Sequence, residues 1–446
     1  MSTHHTSSAV LADPRELSRR YLAGGIASIN RQAEPDLVFR RAQGAYLWDT
    51  DDKRYIDYHA AFGPYALGHN DPYVNDAVRR VLGEGDSLYG SGTTELEGRL
   101  AELICGCGPF LESVALLNTG SEATYQAIRL ARSYTGRDHI IVMQGGYNGW
   151  HNDVACNLMT PLSELGEERR GEEYPFLPIS AGIPTAHQHL VHPVGFNDLE
   201  AIRTVMARYP VAAVILEPIL QNIGVVKPMD GYLEGLRSIA DEYGSVLIFD
   251  EVKTGFRHAL GGYASIAGVN PDLAVYGKAI ANGYPVAALG GRKAILDLFV
   301  DKDPKRRVLL AGTYNAHPVM VAAAIATIER LKENDGEVYR EFERKGAWFQ
   351  KEIEAIGRSI GKQIVVGRQG SALCPYFMDH LPVSWHDLAQ HHVFPYDAAI
   401  RKQVITNGVY TFPIPVKQWS ISAAHTDQDL EETVNVLKKV LSSAKL

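Results

Sequence analysis

The sequence of 446 residues has few cysteines, no surplus of basic residues and no long hydrophobic run. Four cysteines cannot form a disulfide framework, and Cys105 and Cys107 lack a second Cys/His pair at the spacing of a zinc site. The 44 basic residues are outnumbered by 52 acidic ones, and no apolar run reaches the roughly 18 residues of a membrane span. We therefore expect no disulfide, no metal, no nucleic-acid partner and no membrane partner.

The first ten residues are rich in Ser, Thr and His and show neither the basic region nor the apolar region of a secretory signal. This composition predicts a flexible tail over residues 1–15 and a cytoplasmic location. The hydrophobic content of 46% is typical of globular proteins, and a chain of this length can bury a large core. These features favour an enzyme of two or three domains.

From about residue 95, short apolar runs alternate with amphipathic stretches. HIIVM, VAAVIL, VLIF and LAVY are typical of strands buried on both faces, whereas ELEGRLAELICG, SEATYQAIRLARSYTG and YLEGLRSIADEYG are typical of helices. The alternation predicts an α/β fold with a mostly parallel central sheet and helices on both faces. Upstream, GAYLWDTDDKRYIDYHAAF alternates around a turn and predicts a hairpin.

Changes of pattern along the chain predict its domains. After the tail, residues 16–88 would form an arm and hairpin that pack with a small domain. Residues 89–325 would form the large domain, and residues 326–446 the small α+β domain. The stretch 152–192 is rich in Pro, Gly, Glu and His, which predicts a long surface loop that could act as a lid. We interpret its His187, His189 and His192 as loop histidines rather than metal ligands.

Residues 118–123, NTGSEA, follow an apolar run and precede a predicted helix. Gly120 permits a tight turn, and Ser121 would cap the helix with its hydroxyl group. Free backbone N–H groups and the helix dipole make such a helix start a phosphate-binding site. A plain helix cap, which needs only Ser121, is the alternative.

Three further side chains follow apolar runs, at the strand ends where open α/β sheets bind ligands. Asp250 would be a buried acid that needs a partner, such as a metal or a protonated heterocycle nitrogen, unless it simply caps a helix. Desolvation of Lys278 would lower the pKa of its amine and make it a nucleophile, although a surface lysine is the alternative. Tyr147, after two glycines, could stack on a planar ring or belong to the core.

Together these four features match what pyridoxal 5′-phosphate requires: an anchor for the phosphate, an acid for the pyridine nitrogen, a lysine for the aldehyde and an aromatic ring. The cofactor joins its lysine as a Schiff base, and its protonated ring acts as an electron sink. The sequence therefore predicts this cofactor.

The chain resembles the class III pyridoxal-phosphate-dependent aminotransferases of fold type I, and among them the glutamate-1-semialdehyde 2,1-aminomutase branch. The resemblance extends from about residue 24 to residue 425 and rests on NTGSEA, GTTELEGRLAELI, LIFDEVKTGFR, YGKAIANGYPVAALGGR and AGTYNAHP. It implies transfer of an amino group between a carboxylate-bearing amino compound and an oxo acid or aldehyde.

The resemblance also implies roles for the residues around the cofactor ring. Lys278 would form the Schiff base and move protons at the substrate carbon. Asp250 would pair with the pyridine nitrogen, while Val252 and Tyr147 would pack on opposite faces of the ring. Glu217, in LEP, would line the pocket near the ring.

Further implied roles concern the phosphate and the substrate. Gly120 and Ser121 would hold the phosphate, and Thr313 would reach the phosphate of a neighbouring subunit, which implies a homodimer with shared active sites. GGIASINR resembles the segment in which the family binds the substrate carboxylate, so Ser28 and Arg31 would bind it here. An arginine fork suits a carboxylate, although a surface salt bridge is the alternative for Arg31.

Several segments depart from the aminomutase pattern: AFGP at 61–64, NAHP at 315–318 and PIPVKQWSISAAHT near the C-terminus. We expect these segments to line the substrate pocket or its lid, which leaves the cofactor site intact and the substrate open. The alternatives are an intramolecular aminomutase, a racemase or epimerase on the same scaffold, and a non-catalytic dimeric interaction protein. The presence of Lys278 and Asp250 argues against the last.

Overall fold

The structure is a computed structural model that describes residues 13–32 and 34–443. Most of the predicted tail, residues 1–12, lies outside the described residues. The α-helices of the described part are, in chain order, α1 (Pro14–Tyr21), α2 (Pro72–Glu84), α3 (Glu95–Cys105), α4 (Gly120–Thr135), α5 (Leu162–Leu165), α6 (Thr185–Gln188), α7 (Leu199–Arg208), α8 (Tyr232–Tyr243), α9 (Gly262–Ala267), α10 (Lys293–Leu296), α11 (Pro318–Ser359), α12 (Trp385–His391), α13 (Phe394–Thr406) and α14 (Asp427–Ser443).

The strands of the described residues form three sheets. In chain order they are β1 (Phe39–Gln43), β2 (Tyr46–Asp49), β3 (Arg54–Asp57), β4 (Ser113–Leu117), β5 (His139–Met143), β6 (Val191–Val194), β7 (Val211–Leu216), β8 (Val246–Asp250), β9 (Leu273–Tyr276), β10 (Ala287–Gly291), β11 (Val365–Gln369), β12 (Ala372–Tyr376), β13 (Val409–Tyr410) and β14 (Trp419–Ser420). The large sheet has the order β4-β10-β9-β8-β7-β5-β6, and β10 alone runs antiparallel to its neighbours within it. The predicted α/β fold with a mostly parallel sheet is confirmed.

Both faces of the large sheet are buried, which explains its continuous apolar strands. In β8, Leu247 and Phe249 pack into one hydrophobic core, while Val246 and Ile248 pack into a second core with α4 on the opposite face. Because successive side chains of a strand point to opposite faces, β8 is apolar at every position from Val246 to Phe249, and only Asp250 at its end is polar. The sheet therefore holds the carboxyl ends of its strands rigidly along one edge.

The predicted hairpin is present, since β2 and β3 pair antiparallel with Tyr46 opposite Ile56. Its sheet also contains β1 and, parallel to β3, the late strand β13. Ile56 belongs to a third hydrophobic core together with Phe349 of α11 and Trp419 of β14. The N-terminal hairpin and the C-terminal elements thus share one core.

The stretch 152–192 is less of a surface loop than its composition predicts. It contains α5 and α6, and its last two residues begin β6, an edge strand of the large sheet. His192 is therefore a buried strand residue and not a loop histidine. Pro193 lacks a backbone N–H, which edge strands tolerate, and this residue hid the strand in the sequence. Asn157 is also buried and donates a 2.8 Å hydrogen bond to Gln144 Oε1.

Across residues 13–32 and 34–443, no helix has both the length and the apolar character that crossing a membrane requires.

Candidate active site

A cavity of about 410 Å³, here called the first cavity, opens at the edge of the large sheet where its parallel strands end. Its walls include the sequence-predicted residues Gly120, Ser121, Tyr147, Glu217, Asp250, Val252 and Lys278. They follow β4, β5, β7, β8 and β9, whose carboxyl ends lie at the same edge because these strands are parallel. The fold thus brings together residues that are far apart in the sequence.

The start of α4 forms one end of the first cavity. Thr119 caps this helix, because its hydroxyl group accepts a hydrogen bond from the backbone N–H of Glu122, and Glu122 completes a capping box. The expectation that Ser121 is the cap is therefore wrong. Ser121 lies in the first turn and lines the cavity instead, at the positive end of the helix dipole.

Two glycines bring backbone and side chains close together at this end. A Cβ atom on Gly120 would lie 2.9 Å from Cγ2 of Val252, and one on Gly149 would lie 2.9 Å from Oγ of Ser121. Gly149 also has a φ of +127°, which side-chain-bearing residues rarely adopt. Larger residues at these positions would displace groups that form the cavity wall.

Asp250 is a buried carboxylate with two donors. Its Oδ2 accepts a 2.8 Å hydrogen bond from Nδ2 of Asn148, and its Oδ1 accepts one of 3.0 Å from the N–H of Val252. Burial raises the pKa of Asp250 to about 6, against the opposing effect of the Asn148 hydrogen bond. A cation in the first cavity would remove the cost of this buried charge.

Lys278 lies two residues after the end of β9. Its φ of +46° is in the left-handed region, which costs a non-glycine residue about 1–2 kcal/mol. Among the described residues, no hydrogen bond or ion pair engages its amine. Burial lowers the pKa of Lys278, while the carboxylates of Asp250 and Glu217 act in the opposite direction. An unpartnered amine with a lowered pKa is the state that nucleophilic lysines need.

Glu217 positions Tyr147. Its Oε1 accepts a 2.9 Å hydrogen bond from the backbone N–H of Tyr147, and its Oε2 accepts one of 3.0 Å from that of Gln221. Tyr147 lines the first cavity, and so does Val252, two residues after the end of β8. The cavity therefore offers an aromatic and an aliphatic wall.

A second cavity of about 420 Å³ shares four wall residues with the first: Tyr147, Trp150, Asn222 and Lys253. Its other walls include Phe62, Ile179, Ser180, Lys417 and Gln418. Phe62, Lys417 and Gln418 belong to two of the segments that depart from the aminomutase pattern, and Ile179 and Ser180 belong to the stretch 152–192. Residues of two of the departing segments thus line a pocket, as expected from the sequence, whereas none of residues 315–318 lines either cavity.

Three sequence-predicted residues lie outside both cavities. Thr313 is exposed, and Ser28 and Arg31 are exposed on the N-terminal segment. Arg31 lines a separate surface pocket together with residues of α1. Only its neighbours Ile29 and Asn30 contribute to the wall of the second cavity.

Sequence reasoning missed Asn148, Lys253 and Lys417. Asn148 directly follows Tyr147 in GGYNGW, so a search for donors beside the predicted ring would have found it. Lys253 follows Asp250 by three positions and could have been noted as a cation beside a predicted acid. Lys417 is far from both in the sequence, and no signal links it to them.

The first cavity fits pyridoxal 5′-phosphate by the chemistry of its donors. The start of α4 suits a phosphate, and the absence of a Cβ atom at Gly120 leaves Val252 free to face a ring. Asp250 suits a protonated ring nitrogen because its buried charge lacks a cationic partner within 4.0 Å among the described residues. Lys278 supplies the amine.

Comparison with known proteins agrees with the cofactor that the first cavity fits. The family model described as aminotransferase class-III matches residues 28–440. The glutamate-1-semialdehyde 2,1-aminomutase of Natranaerobius thermophilus is 35% identical over 429 residues, which are 95% of this chain and 96% of that protein. An omega-transaminase from Sphaerobacter thermophilus matches at a TM-score of 0.88 with 28% identity, covering 98% of each chain. A β-phenylalanine aminotransferase from Variovorax paradoxus matches at 0.81 with 28% identity, covering 95% of this chain and 92% of that one.

Proposed function

The chain belongs to the class-III aminotransferase family and is a pyridoxal-phosphate-dependent enzyme, and from this premise we propose that Lys278 and Asp250 carry its catalysis. The amino group would move between a carboxylate-bearing amino compound and an oxo acid or aldehyde. The observation that carries the proposal is the convergence of an unpartnered lysine amine and a buried carboxylate in the first cavity.

When bound, the cofactor supplies an aldehyde that takes up the amino group and a ring that withdraws electrons from the substrate carbon. Lys278 holds and moves the proton at that carbon, because burial lowers the pKa of its amine toward the range of a general base. Asp250 holds the ring nitrogen in its protonated form, and Asn148 orients the carboxylate.

The remaining residues bind and orient. Gly120 and Ser121 bind the phosphate at the start of α4, where backbone N–H groups and the helix dipole favour an anion. Tyr147 and Val252, which line the first cavity, would hold the ring by packing on its two faces. Glu217 holds the backbone of Tyr147 and lines the cavity near the ring.

A homodimer with shared active sites completes the proposal, with Thr313 of each subunit reaching the phosphate of the other. Thr313 is exposed and does not line the first cavity of its own subunit, which supports this arrangement. The apolar side chains of Leu309 and Tyr314 beside it are 67% and 64% exposed, which suits a surface that a partner covers.

Ser28 and Arg31 remain proposed ligands of the substrate carboxylate. Support comes from their resemblance to the family segment and from Ile29 and Asn30, which already reach the second cavity. A shift of this exposed segment toward the cavity would be needed for Arg31 to contact the substrate.

Replacement of Lys278 tests the proposal. Purified wild-type enzyme treated with borohydride should carry the mass of the reduced cofactor on the peptide that contains Lys278. Lys278→Ala should lose this modification and at least about 10³-fold in transamination rate. Lys345→Ala, which replaces a half-buried lysine outside both cavities, is the control and should keep both. A Lys278→Ala protein that transaminates at the normal rate would refute the proposal.

An intramolecular aminomutase is the second candidate, favoured by the names of the curated relatives. A mutase converts its substrate without any added amino donor or oxo acceptor, whereas a transaminase requires both. A panel of amino donors assayed with pyruvate, with 2-oxoglutarate and with no acceptor separates the two. Turnover without an acceptor would favour the mutase.

A further inference from the structure

Two partly buried lysines, Lys253 and Lys417, face the second cavity and have no part in the proposed chemistry. Lys253 follows β8 and lines both cavities, while Lys417 lies between β13 and β14 and lines only the second. Nζ of Lys253 donates a 2.9 Å hydrogen bond to the carbonyl oxygen of Gln221, and Nζ of Lys417 donates one of 2.6 Å to that of Asn222. Adjacent carbonyl groups thus hold the two amines on the same side of the pocket.

Neither amine has an anionic partner. Within the described residues, no carboxylate lies within 4.0 Å of either one, and the acid that acts on both is Glu217. Both oxygens of Glu217 already accept hydrogen bonds from the backbone N–H groups of Tyr147 and Gln221. Buried charges are normally paired, so two unpaired lysines in one pocket leave a place for an anion.

Electrostatics agrees with this geometry. Burial and the charge of Lys278 lower the pKa of Lys253 well below its usual value. Burial lowers the pKa of Lys417 to about 8. The negative charge of Glu217 opposes this shift, and the positive charge of Arg401 adds to it. An anion between the two amines would therefore cause Lys417 to take up a proton near pH 8.

The other groups that face these lysines do not supply the missing charge. His59 lines the second cavity, but burial lowers its pKa to about 4, so it is neutral at pH 8. Arg257 adds positive charge near Lys253, and Asp250 lies on the first cavity, where the proposed function pairs it with the ring nitrogen. The second cavity thus has two amines that can carry positive charge and no carboxylate in its lining.

Apolar and aromatic side chains, among them Phe62, Trp150, Leu158 and Phe412, line much of the remaining wall, and its other polar side chains, such as those of Asn30, Ser180, Gln418 and Ser420, are neutral. A ligand that suits the second cavity has an apolar or aromatic body and one compact anionic group. Arg31, the carboxylate ligand implied by the resemblance, does not line this cavity. The two lysines occupy the place where an anionic end of the substrate would enter.

We propose that Lys253 and Lys417 form the inner part of the subsite that binds the carboxylate of an amino substrate with an apolar or aromatic body, to which Ser28 and Arg31 would add only after the shift of the N-terminal segment. This inference rests on the proposed function for the nature of the substrate. The subsite places the carboxylate beyond Lys253, so that the amino group faces Lys278 in the first cavity. Lys253 and Lys417 are specificity-determining residues and take no part in proton transfer.

Binding of a non-reactive probe tests the subsite without turnover. The probe is 3-phenylpropanoate, and its neutral match is 3-phenylpropanamide; both are titrated into holoenzyme by calorimetry at pH 8. Wild type should bind the anion at least tenfold more tightly than the amide. Lys253→Met and Lys417→Met should each weaken binding of the anion at least tenfold and leave that of the amide unchanged. Lys345→Met, which removes a half-buried lysine that also donates to a backbone carbonyl, should behave as wild type.

A purely structural role for these lysines predicts a different result. Repeating the titration in buffers of different ionisation enthalpy should show proton uptake on binding of the anion in wild type. The uptake should be smaller in both Lys417→Met and Lys417→Arg, whereas the anion preference should be restored only in Lys417→Arg, because a guanidinium is already charged at pH 8. Absence of an anion preference in wild type, or variants with an unchanged ratio of anion to amide affinity, would overturn the proposal. Cofactor content, read from absorbance and from borohydride labelling of Lys278, is measured in every variant. A protein that labels normally but shows no anion preference refutes only the subsite.

Discussion

Nδ2 of Asn148 lies 2.8 Å from Oδ2 of Asp250 and joins the loop after β5 to the carboxyl end of β8. The hydrogen bond stabilises the charged carboxylate and opposes the rise in the pKa of Asp250 that burial causes. Asn148 therefore controls how much of this acid is ionised near neutral pH, where the acid has to face a protonated ring nitrogen.

Replacing Asn148 by Ala should raise the pKa of Asp250 above about 6. A larger neutral fraction at pH 7 would weaken the pairing with the ring nitrogen, so the Kd for the cofactor should rise about tenfold, which corresponds to roughly 1.4 kcal/mol. The acid limb of kcat/KM should move to higher pH. Cofactor titration and a pH profile measure these effects. Asn152→Ala, at an exposed position, is the control and should leave both unchanged. An unmoved acid limb would contradict this role.

Asp250 should also make the stability of the cofactor-free protein depend on pH. Its pKa is about 6 in the folded state against a usual value of 3.8, so the unfolded chain binds fewer protons between these values. The free energy of unfolding should therefore fall as pH rises from about 4 to 6, and Asp250→Asn should remove this fall. In urea unfolding, the free energy of unfolding of Asp250→Asn minus that of wild type should be about 3 kcal/mol larger at pH 7 than at pH 4. An equal difference at both pH values would contradict the prediction.

A methyl group at Gly120 should weaken cofactor binding more than it destabilises the fold. Because the new Cβ atom would lie 2.9 Å from Val252, Gly120→Ala should push that side chain into the first cavity and raise the Kd for the cofactor at least about tenfold. Gly98→Ala is the matched control, since nothing lies within 4 Å of its Cβ position in the exposed part of α3. It should keep cofactor affinity and gain up to about 1 kcal/mol of stability. Equal cofactor affinity in both variants would contradict the role of Gly120 in leaving room for Val252 and the cofactor.

The proposed dimer predicts that charge near Thr313 disrupts association. Leu309→Arg and Tyr314→Arg should lower the dimer affinity by tenfold or more, because each places a charge in the apolar surface that a partner would cover. Sedimentation velocity over a concentration series measures the effect. Leu82→Arg, at a residue of α2 that is 62% exposed, is the control. Unchanged sedimentation of both variants would place the interface elsewhere.

Much of the central fold was predictable because local patterns coincide with the tertiary arrangement there. Strands such as β8 are buried on both faces, so their apolar runs are unmistakable. The edge strand β6 was not predictable, since it is short and contains Pro193. The cap of α4 was misassigned to Ser121 because Thr119 and Ser121 are both good capping residues, and only the backbone geometry separates them.

The sequence by itself determined the family, the cofactor and the residues expected around it, because each follows a strand or begins a helix in a recognisable motif. Only the tertiary structure decided which side chains meet around the substrate. Lys417 comes from the C-terminal elements and Lys253 from the large sheet, and they share a pocket because Gln221 and Asn222 hold them there. Local sequence patterns report backbone conformation and burial, whereas the pairing of distant side chains depends on how the cores pack against one another.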